Sequence, residues 1–191
     1  MKKFLVVLLA LACALTMFAC GDEETVDLSA FNNAATSSKP ASATLEVSLD
    51  STLGSLAAKY DIAYAADGSA TVNYTREQFN AAGSSNDEVK SEVSGTVNCD
   101  ASGKLADAAA FGVDTIPGTN FNFDATKMSV TVNGNVLSAT VSADNTEAVL
   151  GANYGADVTL VYTINDGKVA SFSMAYTTTV GAISISCAYT Y

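Results

Sequence analysis

The sequence predicts an all-β fold, or a β fold with two short helices, in which an antiparallel meander of about ten strands forms a curved half barrel, a barrel or a sandwich. Three observations predict it. Apolar and polar residues alternate with a period of two from about Thr44 to Tyr191, as half-buried strands require. The alternating runs are short, and residues typical of turns, mainly Gly, Asn and Asp, separate them.

The first half of this region contains four predicted strands. Residues 45–49 place Leu, Val and Leu on one face, and residues 60–64 repeat the pattern with Tyr, Ile and Tyr. The dipeptide Asp-Gly at 67–68 then predicts a hairpin, because glycine accepts the positive φ of a tight turn. The third run follows this turn, with Val72 and Tyr74 on one face. The fourth run, 89–99, has valines and a cysteine on one face.

The second half repeats this organisation. Residues 128–132 and 136–141 flank the turn sequence NGN, and residues 158–164 and 172–176 flank NDGK. The last run, 183–191, alternates Ile, Ile, Cys, Tyr and Tyr with small polar residues. We therefore expect hairpins along the whole region.

Two segments predict short helices. In TREQFNAA, Thr75 and Gln78 have the spacing of a capping box. In DNTEAVLG, Asp144 and Glu147 have the same spacing, and Gly151 is placed to end the helix.

The region from 43 to 191 has the size of a single antiparallel β domain. Residues 20–42 lack sustained periodicity and are rich in Ser, Thr, Asn and Ala, which predicts a flexible tether. Val26, Leu28 and Phe31 are the isolated apolar residues in it, and we expect this stretch to fray rather than dock on the domain.

Residues 1–19 have the pattern of a signal peptide, with Lys2 and Lys3 before an apolar run. The run is slightly short for a membrane span and is followed by acidic residues. The sequence TMFAC, which ends at Cys20, resembles the lipobox of bacterial prolipoproteins, with Ala19 as the small residue before the cysteine. Cys13 is the rival cysteine, but cleavage there would leave an exposed apolar stub.

The lipobox resemblance implies that Cys20 carries a lipid, such as palmitate, that holds the protein on a membrane. The protein would then be exported and anchored to the bacterial cell membrane or outer membrane, with its body outside the cytoplasm. The alternative is an ordinary cleaved signal peptide that leaves Cys20 as a stray thiol.

Composition argues against several functions. The formal charge of −11 disfavours nucleic acid, whose binding depends on Lys and Arg. The chain contains no histidine, the usual general base and a common metal ligand. No nucleotide-binding or serine-hydrolase motif is present, and we expect no cofactor and no metal. A hydrolase with paired carboxylates stays open as a third hypothesis, although the acids are scattered singly at turns and polar strand positions.

Cys99 and Cys187 fall on the apolar faces of their predicted strands. Outside the cytoplasm, such a pair predicts either a disulfide or two buried thiols that behave as small apolar groups.

Aromatic residues on the apolar faces of the strands either line a ligand cavity or simply pack in the core. The candidate lining residues are Tyr60, Tyr64, Tyr74, Tyr162, Phe172, Tyr176 and Tyr189. At the level of fold, an exported β half barrel with small helices is similar to the LolA and LppX class of lipoprotein carriers. That resemblance implies acyl chains held inside a curved sheet. The leading hypothesis is a non-catalytic protein that binds an apolar or lipid-like ligand, and the alternative is a structural or adhesive surface domain with a protein partner.

Overall fold

The computed structural model describes residues 26–51, 54–79, 89–106 and 121–191. The predicted signal peptide and Cys20 lie outside these residues. Neither helix of the described residues has the length and hydropathy of a membrane span.

The fold is a single sheet of nine strands with two short α-helices, which confirms the predicted fold class. The strands are β1 (Ser42–Ser51), β2 (Gly54–Tyr64), β3 (Ala70–Phe79), β4 (Val89–Cys99), β5 (Ser129–Asn133), β6 (Val136–Val141), β7 (Val158–Asn165), β8 (Lys168–Thr178) and β9 (Gly181–Thr190). The helices are α1 (Ser29–Ser37) and α2 (Thr146–Leu150), and a 3₁₀ turn, Ala143–Asn145, leads directly into α2.

Tight turns join neighbouring strands where the sequence predicts them. Between β7 and β8, Asp166 and Gly167 have φ values of 50° and 71°. Positive φ at both central residues is the conformation that matches the twist of two paired strands. The turn sequences NGN and DGS occupy the equivalent places between β5 and β6 and between β2 and β3.

The first and last strands pair at the centre of the sheet. The order is β4-β3-β2-β1-β9-β8-β7-β6-β5, and every neighbouring pair is antiparallel. Ser42 of β1 lies opposite Thr190 of β9, and Ser51 lies opposite Gly181. Two meanders therefore run outward from this central pair. The sheet does not close on itself, so of the three predicted forms the curved half barrel is the one observed.

Residues 29–37, which the sequence places in the flexible tether, form α1 instead. Phe31, Ala34 and Ala35 are buried, and α1 packs against β8. The prediction was wrong because Leu28, Phe31 and Ala35 recur at helical spacing, so they make one apolar face rather than isolated contacts. The domain thus begins before residue 43.

The two predicted helices have different outcomes. DNTEAVLG forms the 3₁₀ turn and α2, and Gly151 ends the helix with φ of 77°. The predicted capping box at its start is not seen, since neither helical piece has a side-chain cap bond. The prediction of a helix in TREQFNAA was wrong. Thr75 through Phe79 continue β3, because pairing with β2 and β4 satisfies their backbone groups and outweighs weak local capping signals.

Candidate functional site: the apolar face of the sheet

One face of the sheet is almost entirely apolar, and the strand register arranges its side chains in rows that cross the nine strands. The first row contains four of the seven predicted lining residues. Its members, from β4 to β5, are Gly95, Tyr74, Tyr60, Leu45, Cys187, Phe172, Tyr162, Leu137 and Val132.

Four of the predicted lining residues are buried: Tyr60, Tyr162, Phe172 and Tyr189. Phe121 and Phe123 cover two of them. The Phe123 ring lies 4.9 Å from Tyr162, edge to face, and the Phe121 ring lies 5.4 Å from Phe172. This half of the face, near α1 and β8, is therefore packed as a core.

Phe121 and Phe123 are important residues that the sequence analysis missed. They lie in the sequence FNF before β5, in a stretch without strand length. The alternation of two aromatic residues around a polar one was the available signal. Their role depends on α1, because Asn32 bonds the backbone of Phe123.

The remaining three predicted lining residues, Tyr64, Tyr74 and Tyr176, are half-buried. The Tyr74 ring lies over Gly95 of the neighbouring strand, so closely that an added Cβ would stand 2.8 Å from its hydroxyl. The Tyr176 ring packs edge to face on Tyr154 at 4.9 Å.

One end of the apolar face is less covered than the rest. There, a group of large apolar side chains on β1, β2, β8 and β9 is only half-buried, and we call it the apolar band. Its members are Val47, Leu49, Leu56, Tyr176, Ile183 and Ile185. The register makes them neighbours, with Leu49 opposite both Leu56 and Ile183. On the edge strand β4, Val93 is 52% exposed.

The second row of the face contains one charged residue. Its members, from β4 to β5, are Val93, Arg76, Ala58, Val47, Ile185, Met174, Leu160, Ala139 and Val130. Burial raises the pKa of the Tyr60 hydroxyl, and the positive charge of Arg76 partly offsets this. The guanidinium is thus close enough to act on Tyr60 electrostatically.

Cys99 and Cys187 are both buried and free, so of the two predicted alternatives the disulfide is not observed. Cys99 lies on β4 and Cys187 on β9, with β3, β2 and β1 between them in the sheet. Neighbouring strands are about 4.8 Å apart, so the path along the sheet from Cys99 to Cys187 is about 19 Å, whereas a disulfide needs Cα atoms within about 7 Å. Burial raises the pKa of Cys187 to about 11 and also raises that of Cys99. Neutral, buried thiols match the alternative prediction of small apolar groups.

The opposite face of the sheet is polar. It carries two shallow grooves of about 380 and 300 Å³, which share Glu46 and Ser186. Glu46 and Glu77 both line the larger groove, together with Lys59, which forms an ion pair with Asp61 at 3.3 Å. Among the described residues, no group of three or more His, Cys, Asp or Glu side chains is arranged to hold a metal ion.

Comparisons with known proteins give little further information. No protein-family model matches the chain, and no curated protein matches its sequence. Among solved structures, the fold is similar to the crystal structure of LprF from Mycobacterium bovis, at 12% sequence identity and a TM-score of 0.37. The match covers 83% of this chain and 90% of that chain. A likeness at this TM-score carries no argument about function.

Proposed function

We propose that this chain is a lipid-anchored, extracytoplasmic bacterial protein that binds an apolar or lipid-like ligand against the apolar face of its sheet and catalyses no reaction. The observation that carries the proposal is the apolar band. Its aliphatic and aromatic side chains lie side by side on the apolar face of an open sheet, and each is only half-buried.

A half-buried group of this kind favours an apolar ligand. Removing apolar surface from water contributes about 25 cal/mol per Å², so a ligand that covers the band gains from every side chain it touches. Binding sites for small molecules are typically concave and mostly apolar, with few polar groups. A ligand on the apolar band would rest on these half-buried side chains, and the packed half beside α1 would supply a rigid wall.

The position of α1 limits how far the domain can lie from a lipid on Cys20. Leu28 is buried against the domain, and only residues 21–27 separate it from Cys20. Seven residues span at most about 25 Å. A lipid on Cys20 would therefore hold the domain beside the membrane, where apolar ligands are found, rather than far above it.

The proposal that no reaction is catalysed rests on the position of the acids. Glu46 is exposed on the polar face, and Glu77 lines the same open groove beside it. Such carboxylates are ordinary surface groups, since a catalytic pair needs an enclosed cleft that excludes water and separates the two pKa values.

Native mass spectrometry of the full chain, released from uncharged detergent, tests the proposal. We expect a lipid-sized adduct on the purified protein. Ile185→Glu, which places a charge in the apolar band, should lower the adduct at least tenfold. Ser186→Glu is the matched control, because its side chain is the next one on β9 and lies on the polar face. Absence of any adduct, or equal loss in both variants, would contradict the proposal.

Val93 favours the second candidate, a structural or adhesive surface domain. It is 52% exposed on the long edge strand β4, and exposed apolar residues on a strand edge are typical of protein contacts. This candidate predicts that the chain purifies without lipid. It also predicts that Val93→Lys lowers the adhesion of cells that display the chain, whereas the lipid-binding proposal expects no change in adhesion.

A further inference from the structure

Arg76 is the single arginine of the chain, and it lies on the apolar face of the sheet. It belongs to β3, and its side chain follows those of Val72 and Tyr74 on the same face. The other eight members of its row are apolar. The sheet therefore places a fixed positive charge beside the apolar band.

We propose that Arg76 binds the phosphate of an anionic phospholipid whose acyl chains lie on the apolar band. This inference rests on the proposed function and names the class of ligand. The headgroup would lie toward the β3–β4 edge, and the acyl chains would extend along the row over Ala58, Val47 and Ile185.

The residues around Arg76 suit such an amphiphile. On one side are Tyr60 and Tyr74, whose hydroxyl-bearing rings belong to the same face. On the other side is Gln78, which lies near the end of the strand and adds an amide donor. Polar groups on β2 and β3 thus surround Arg76, while the members of its own row on β2, β1 and β9 are apolar.

The chemistry of arginine favours phosphate in this place. A guanidinium offers paired donors that match two phosphate oxygens, and such charge-assisted bonds are about twice as strong as neutral ones. A cationic headgroup should bind weakly at this position, because its positive charge would lie next to that of Arg76.

Because the chain is negative overall, an anion depends on Arg76 for attraction to the apolar face. With 20 acids and 9 basic residues, the chain repels anions generally. The neighbouring base on β2, Lys59, lies on the polar face, on the other side of the sheet. An anion that binds the apolar face therefore meets Arg76 as the basic residue of its row.

A competition between two lipids with the same acyl chains tests the inference. The full chain, in uncharged detergent, is mixed with equal amounts of dioleoylphosphatidylglycerol and uncharged dioleoylglycerol, and the bound lipids are measured by native mass spectrometry. We expect the phospholipid to be preferred at least about tenfold, because one charge-assisted hydrogen bond provides about that ratio and the guanidinium offers two donors. Arg76→Gln should abolish this preference while dioleoylglycerol still binds.

Two further variants make the outcome decisive. Lys59→Gln removes one positive charge from the other face of the adjacent strand, and it should leave the preference unchanged. Arg76→Lys keeps the charge without the paired donors and should keep part of the preference. Equal binding of both lipids by the wild-type chain, or an unchanged preference in Arg76→Gln, would overturn the inference alone. Failure of both lipids to bind would overturn it together with the proposed function.

Discussion

Asn32 and Phe123 exchange two hydrogen bonds. The side-chain amide of Asn32 donates to the Phe123 carbonyl at 3.1 Å, and its oxygen accepts the Phe123 amide proton at 2.8 Å. The pair joins α1 to the segment whose aromatic rings cover β7 and β8. A residue assigned by sequence to a flexible tether thus holds part of the core in place.

Removing this pair should destabilise the fold. Asn32→Ala leaves both backbone groups of Phe123 without their partner, and we expect a loss of about 2 kcal/mol in the free energy of unfolding, at about 1 kcal/mol per bond. Urea unfolding followed by circular dichroism measures the loss. Asn33→Ala is the matched control, because Asn33 is on the same helix and is exposed, and it should change stability by less than about 0.5 kcal/mol. Equal effects of the two variants would contradict the two hydrogen bonds between Asn32 and Phe123.

Gly181 should tolerate no side chain, because it opens β9 directly opposite Ser51 of β1. A Cβ there would stand 2.5 Å from the Asp50 carbonyl oxygen and 2.7 Å from the Ser51 Cβ. Backbone must move to relieve these contacts, so we expect Gly181→Ala to cost about 1–3 kcal/mol. Thermal melting should show a decrease of a few degrees for each kcal/mol. Ala182→Ser, at the exposed next position, should melt near the wild-type temperature, and an unchanged melting point for Gly181→Ala would refute this pairing of β1 with β9.

Cys99 and Cys187 should behave as two protected thiols. In a chain with Cys13 and Cys20 replaced by serine, we expect no reaction with a thiol reagent at pH 8 in the native state and two reactive groups after unfolding in urea. Burial is the reason, since it keeps both thiols neutral and out of contact with the reagent. An intact mass that rises by two hydrogen atoms on reduction would reveal a disulfide and contradict the sheet order.

Alkaline pH should weaken the fold through Cys187. Its pKa is about 11 in the folded protein, against an ordinary value near 9, so between these values the folded state keeps a proton that the unfolded state has released. Stability then falls as pH rises from about 9 to 11, by about 3 kcal/mol at most. Burial also raises the pKa of Tyr64, to about 12, which extends the decline. Cys187→Ala should unfold with a flatter pH dependence over this window, and an identical slope would exclude Cys187 as the cause.

The strands and most hairpins were predictable because their signals are local. A period of two is visible within one strand, and Asp-Gly and Asn-Gly turns need no distant partner. Local signals failed where two of them competed. The spacing of Thr75 and Gln78 is that of a helix cap. The same segment also has the period of two of a strand, with Tyr74, Arg76 and Gln78 on one face. Pairing with β2 and β4 favoured the strand.

The candidate site was predictable only in part. The seven aromatic residues all lie on the apolar face, but their division into buried and half-buried groups depends on Phe121, Phe123 and α1. Arg76 was not identified, because the segment that contains it read as a helix, in which it would not share a face with Tyr74.

By itself, the sequence determined the alternating strands, their turns, the acidic charge and a prediction of lipidation at Cys20. Only the tertiary structure decided that β1 pairs with β9, that the sheet stays open, that α1 belongs to the core and that Cys99 and Cys187 lie apart. The physical reason is the range of the interactions. Alternation and turn chemistry act over a few residues, whereas the pairing of Leu45 with Cys187 joins positions far apart in the chain, and no local pattern encodes that choice.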